Sequence, residues 1–232
     1  MKKLKKILTV VLIIAILGGA YGGYQFYYST THFFITEDAR LTADMISITP
    51  EITGKIAQWN VKEGDMLSEG DILGVQDVSM LLSSNVINPA ALSNSADAIV
   101  SKAEIKAPIN GKVIQTEVVT GQVLSPGMEA AVIADTDHMY IKANIEETDI
   151  FKIKEGQIVE ITVDAFGKKQ FTGYVQSIGQ ATESVFSAFP TLNTSGNFTK
   201  QTQLIPVKIS IVNDEQLPLM PGMNTKVKIH VK

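Results

Sequence analysis

Three histidines, His32, His138 and His230, come first, because an imidazole can bind a metal or move a proton near neutral pH. No two of them stand at the short spacings from which metal sites are built. The paired acids Glu146-Glu147 could share a proton, yet they open the stretch "EETDIFKIKEG", in which acids come first, Lys152 and Lys154 follow and Gly156 closes. That order predicts a two-turn helix whose charges match its dipole. Its Ile150, Phe151 and Ile153 could then pack over the end of a barrel. The many serines include no Gly-x-Ser-x-Gly and no phosphate-binding loop precedes any of them. Cysteine is absent, which excludes disulfides, thiolate metal sites and a cysteine nucleophile. No catalytic residue, metal ligand or cofactor-binding residue is assigned, and no enzyme is expected.

Binding must then carry the function, and the question becomes what surfaces the chain can build. The 232 residues are 45% hydrophobic with a net charge of −4, enough apolar material for a core and no basic face for nucleic acid. Four lysines in "MKKLKK" precede Ile7 to Tyr28, an uncharged run of 22 residues. As a helix that run would be roughly 33 Å long, enough to cross a bilayer. Its lysine end would stay in the cytoplasm, and Tyr21, Tyr24, Phe26, Tyr27 and Tyr28 suit the outer interface. A cleaved signal peptide ending near Gly18-Gly19-Ala20 is the competing reading. Apolar and aromatic character continues to Tyr28, which favours a retained anchor over residues 1–29. Either reading places residues 30–232 outside the cytoplasmic membrane.

Residues 54–73, "GKIAQWNVKEGDMLSEGDIL", are repeated as 111–130, "GKVIQTEVVTGQVLSPGMEA", with eight identities in twenty positions. Gly54, Gly64 and Gly70 match Gly111, Gly121 and Gly127, which suggests tight turns at equivalent places. Two copies are too few for a solenoid. Neither is long enough to bury its own apolar face, so the expectation is one sandwich built from two interlocked halves. Elsewhere the pattern has period two, as strands require. Ile46, Ile48 and Ile52 fall on one side. So do Ile141, Ala143 and Ile145; Val159, Ile161 and Val163; and Val207, Ile209 and Ile211.

With these features in hand, the chain resembles the membrane fusion proteins, the periplasmic adaptor family of HlyD and EmrA. "ITPEITGKIAQWNVKEGDMLSEGDILGVQD" and "IKAPINGKVIQTEVVTGQVLSPGMEAAVIAD" resemble the two halves of its lipoyl-like, barrel-sandwich hybrid domain. "MYIKANIEETDIFKIKEGQIVEITVDAF" and "PLMPGMNTKVKI" resemble its β-barrel, and "VFSAFPTLNTSGNFTKQTQLIPVKI" resembles the EmrA subgroup. The resemblance implies a mainly β protein on an N-terminal transmembrane helix, residues 1–29. Residues 44–77 plus 103–135 would form the lipoyl-like sandwich, and 30–43 plus 136–232 the β-barrel. It implies a single-pass cell-membrane adaptor of a multidrug efflux or secretion system. Such an adaptor docks on a transporter, of the major facilitator superfamily for EmrA-type members, and could form homo-oligomers.

The chain departs from the family in one place. Most members carry a long helical hairpin between the lipoyl halves, whereas residues 78–102 give only about 25 residues, serine- and asparagine-rich around Asn88-Pro89. Two antiparallel helices of about ten residues would reach about 15 Å, too short to cross a periplasm. The expectation is therefore a hairpin-less adaptor, of the kind Gram-positive relatives show, without an outer-membrane channel as partner. True lipoyl and biotinyl domains modify a lysine between their halves. Here only Lys102 is available, without the flanking motif, while Lys55 and Lys112 lie inside the halves, so no cofactor is expected. Other classes consistent with parts of the pattern are a stand-alone extracytoplasmic binding or sensing protein and a lipoyl or biotinyl carrier. Phe186, Phe189 and Phe198 sit in the irregular stretch 183–203. Packing into the barrel is their plain reading, and contact with a partner is the functional one.

Overall fold

The computed structural model of the chain describes residues 12, 16–25, 27, 31–79, 99–167, 169–186 and 202–231. Fourteen strands form among them. They are β1 (Phe33–Thr42), β2 (Met45–Ile48), β3 (Gly54–Trp59), β4 (Met66–Leu67), β5 (Ile72–Asp77), β6 (Glu104–Lys106) and β7 (Gly111–Thr116). Then come β8 (Val123–Leu124), β9 (Ala131–Ala134), β10 (Tyr140–Glu146), β11 (Ile158–Val163), β12 (Gln170–Ile178), β13 (Leu204–Ser210) and β14 (Asn224–His230). The chain divides into two compact units, Met1–Thr42 with Tyr140–Lys232, and Ala43–Met139.

The first unit contains a closed antiparallel barrel in the order β1-β10-β13-β12-β11-β14. Closure leaves no strand edge open to pair with another chain. Alternation decides which side chains fill it. Ile141, Ile145, Ile161, Ile209 and Ile229 are wholly buried, with Ile141 opposite Ile209 across β10–β13 and Val159 opposite Ile229 across β11–β14.

The second unit shows what the repeat is for. Its sheets run β2-β9-β7-β4 and β6-β5-β3-β8, so each repeat lends a two-residue strand to the other's sheet. β3 takes β8 from the second copy, with Gly54 opposite Leu124; β7 takes β4 from the first, with Gly111 opposite Leu67. The exchange follows the repeat offset bond by bond. Ile56 N–H donates to Gln122 O at 2.7 Å and Val113 N–H to Asp65 O at 2.9 Å. Both β3 and β7 bulge at the same step, Ile56/Gln58 and Val113/Gln115. Ile48, Ile56 and Leu73 from the first half share one core with Ile105, Leu124 and Ile133 from the second. Neither half has this core without the other.

Two expectations meet the structure less directly. No two-turn helix forms over 146–155: β10 runs on through Glu146, paired with Leu204, and only a 3-10 turn, Ile150–Lys152, follows. The ladder holds Glu146 extended, and Glu147 N–H is already bonded to Gln203 O at 2.9 Å, so no helix can start at the paired acids. Residues 16–25 are helical, but among the described residues no helix is long and apolar enough to cross a membrane. Much of the expected anchor, and residues 80–98 of the short interval, lie outside the described residues; residues 99–103 are helical.

Candidate functional site

The three histidines each have a defined neighbour. His230 lies on the outer face of the barrel, its Nε2 2.6 Å from Glu160 Oε1 on the neighbouring β11. Lys228, two residues earlier on β14, donates to the same carboxylate at 3.2 Å. Both side chains also meet Phe33 on β1: the Lys228 ammonium sits 3.9 Å from the ring centroid and the imidazole stacks edge-on at 4.8 Å. The cluster ties three adjacent strands together. Burial pushes the Glu160 carboxyl up, but hydrogen bonds from His230 and Lys228 outweigh it and hold the group below the ordinary carboxylate range. A carboxyl depressed in the folded state stabilises above its unfolded pKa, and that contribution is lost as pH falls through the folded value. Between pH 7 and pH 3 the wild-type urea midpoint should therefore fall more than that of Glu160→Gln.

His138 and Asp135 make a local turn. Asp135 accepts from the backbone N–H groups of Asp137 and His138 at 3.1 and 3.2 Å, and its other oxygen lies 2.8 Å from the His138 ring. That hydrogen bond and the carboxylate's charge raise the His138 pKa above its usual value. An NMR titration should see the raised value return towards about 6.5 in Asp135→Asn. The third histidine, His32, gives its carbonyl to Val231 N–H at 2.9 Å. The three histidines are thus engaged separately, and among the described residues no group of three His, Asp or Glu could hold a metal ion.

The lysines resolve similarly. Lys55 faces Asp77 in mid-ladder and Lys112 faces Met66 and Ala134, so neither occupies a hairpin tip where a carrier arm would swing. Lys102 lies 3.7 Å from Glu51. Of the six repeat glycines, Gly64, Gly70, Gly121 and Gly127 have φ of 94°, 90°, 95° and 90°, the left-handed region that glycine adopts freely. Gly54 and Gly111 instead begin β3 and β7. Phe186 ends a 3-10 turn, Glu183–Phe186. Its side chain, with Phe189 and Phe198, lies outside the described residues.

What the surface does offer is an apolar rim at one end of the barrel. Phe151 is 89% exposed there, between a groove of about 560 Å³ that includes Phe33, Phe34 and Val231 and another of about 530 Å³ that includes Ile178 and Ile205. The sequence placed Phe151 over the barrel end but gave no sign that it would face outward. The 3-10 turn supplies the reason: positions i and i+3 share a face, so Ile150 and Ile153 point in together and Phe151 cannot.

Comparison with known proteins matches each unit to a known domain. Residues 44–136 match the family described as RND MFP, barrel-sandwich hybrid domain, and residues 139–229 match the YknX-like beta-barrel domain. The efflux system component YhbJ of Bacillus subtilis is 36% identical over 204 residues, covering 86% of this chain and 80% of that protein. The multidrug export protein EmrA of Escherichia coli is 30% identical over 161 residues, covering 66% of this chain but only 41% of EmrA. The membrane fusion protein Spr0693 of Streptococcus pneumoniae shares the fold at a TM-score of 0.61, with 15% identity over 86% of this chain and 99% of that one. The chain belongs to the membrane fusion proteins, the adaptor family of efflux systems. Its members are adaptors and not enzymes.

Proposed function

We propose that this chain is the membrane-anchored adaptor of an efflux system for hydrophobic toxic compounds, working by docking on a transporter of the major facilitator superfamily in the cytoplasmic membrane. The carrying observation is its kinship with an efflux system component along 86% of its length. The link to multidrug export rests on the likeness to EmrA, of which the chain spans well under half. Residues 7–28, uncharged and aromatic at one end, are the membrane anchor, with the lysines on the cytoplasmic side and both β units outside. The interval 78–102 is too short for a hairpin that would reach an outer-membrane channel, so the adaptor works at one membrane.

Deletion should lower the tolerated concentration of apolar cationic dyes and uncouplers several-fold, with full-length chain restoring it. A variant lacking residues 1–29 but carrying a cleavable export signal should be stripped from membranes by an alkaline wash that leaves the full-length chain in place, and should fail to restore tolerance. Unchanged tolerance on deletion contradicts the efflux assignment. Release of the full-length chain from membranes by an alkaline wash, which strips docked proteins, contradicts the anchor.

A further inference from the structure

We infer that the barrel's Phe151 rim is a lipid-contact surface, with the phenylalanine seated in the headgroup region of the bilayer. The proposal rests on the anchored reading of residues 7–28. In the closed antiparallel barrel β1 starts, β14 and β10 end, and β11 and β13 start at one end, because neighbours alternate in direction. The turn bearing Phe151, between β10 and β11, therefore lies at the end where the chain enters β1. Thr31, Phe33 and Phe34 share the groove beside it, which confirms the placement.

Thr31 is three residues beyond Tyr28, where the apolar and aromatic run gives way to Ser29-Thr30-Thr31. Three residues span at most about 10 Å even when fully extended. The headgroup layer reaches about 5–8 Å beyond the hydrocarbon on each side. A groove wall tethered this closely to the end of a spanning segment cannot sit far from that layer.

The turn itself is firm. Lys152 N–H donates to Asp149 O and Ile153 N–H to Ile150 O, both at 3.0 Å, and Ile150 and Ile153 are buried beneath. On that fixed base Phe151 is 89% exposed and has no packing role among the described residues. Its neighbours fix the kind of membrane contact. Lys152 pairs with Asp149, and Glu147 and Lys154 both line the adjoining groove, so these four charges sum to zero. Apolar insertion, not attraction to anionic lipid, is what this chemistry supports.

The chain has no cysteine, so one introduced thiol can be labelled uniquely. Full-length Phe151→Cys carrying a polarity-sensitive fluorophore is reconstituted in phosphatidylcholine vesicles, with Asp214→Cys, in the loop at the other barrel end, as reference. Expected are a blue-shifted emission at position 151, quenching by lipids nitroxide-labelled near the headgroup, and neither effect at 214. A label on Lys152→Cys beside the retained phenylalanine should shift as well, and lose the shift in Phe151→Ser. Added phosphatidylglycerol should leave the signals unchanged. If the chain floats with the vesicles but position 151 behaves like 214, the rim does not meet lipid and the proposal is overturned, while the anchor stands. If position 151 becomes shielded only when a transporter is added, the rim is a protein contact and the proposal is equally overturned. If the chain does not float at all, the anchored reading and the proposal fall together.

Discussion

Gly111→Ala and Gly173→Ala are each expected to lower stability by about 3 kcal/mol, a fall in Tm of about 10 °C for a chain of this size. At neither position is the backbone in a conformation that only glycine adopts; the obstacle is space. A Cβ on Gly173 would lie 1.9 Å from Ser210 O and 2.7 Å from Ile161 Cδ1, so β12 and β13 would have to separate inside a closed barrel. A Cβ on Gly111 would lie 2.4 Å from Ala134 O, which is ladder backbone and cannot rotate away. Gly54 is the equivalent position in the first repeat, yet its Cβ would meet Gln76 Cβ at 3.0 Å and Asp77 O at 3.3 Å. Shifts of a few tenths of an ångström relieve that, and loss of glycine's unfolded-state freedom offsets part of the strain. Gly54→Ala should therefore stay within about 1 kcal/mol of wild type. Urea unfolding followed by circular dichroism measures all three. Equal effects at Gly54 and Gly111 would mean the two halves approach their partner strands equally closely, contrary to the geometry described.

Ile133→Gln is expected to cost at least about 4 kcal/mol, whereas Gln76→Met should change stability by no more than about 1 kcal/mol. The two positions are related by the repeat and both are buried, Ile133 wholly and Gln76 to within 2%. Around Ile133 the sandwich core is apolar, so a carboxamide there would lose the isoleucine's burial and leave polar atoms without partners. Gln76 shows how little its own site offers. Its Nε2 reaches Gly54 O and Leu124 O at 3.3 Å each, and its Oε1 is buried without a partner. Replacing it with an unbranched apolar side chain removes two long hydrogen bonds and one orphaned acceptor together, and these nearly cancel. A large loss in Gln76→Met would show that the two hydrogen bonds, not the packing, organise that end of the sandwich.

The parts of this fold that rest on periodicity were legible in the sequence. Ile141 and Ile145, or Val159 and Ile161, alternate with polar neighbours because one face of each strand fills the barrel, and all four are wholly buried. Ile46 follows the same rule yet stays 38% exposed, while Ile48, two residues on in the same strand, is buried. The repeat announced two interlocked halves; which short strands they exchange became visible only in the pairing of β3 with β8 and β7 with β4. The charge order of 146–155 misled because tertiary pairing extends β10 through Glu146 and overrides a helix signal only two turns long. Burial of Gln76 was readable in principle. Aligning the repeats sets it against Ile133, an apolar position. Phe151 was not, since a 3-10 turn and an α-helix put it on different sides.

Purification of the full-length chain from membranes in mild detergent tests the central claim, that this is a docking subunit, most directly. A polytopic transporter of the major facilitator superfamily should elute with it in near-stoichiometric amount. Recovery of the chain alone, from membranes in which such transporters are abundant and the chain is folded, would contradict it.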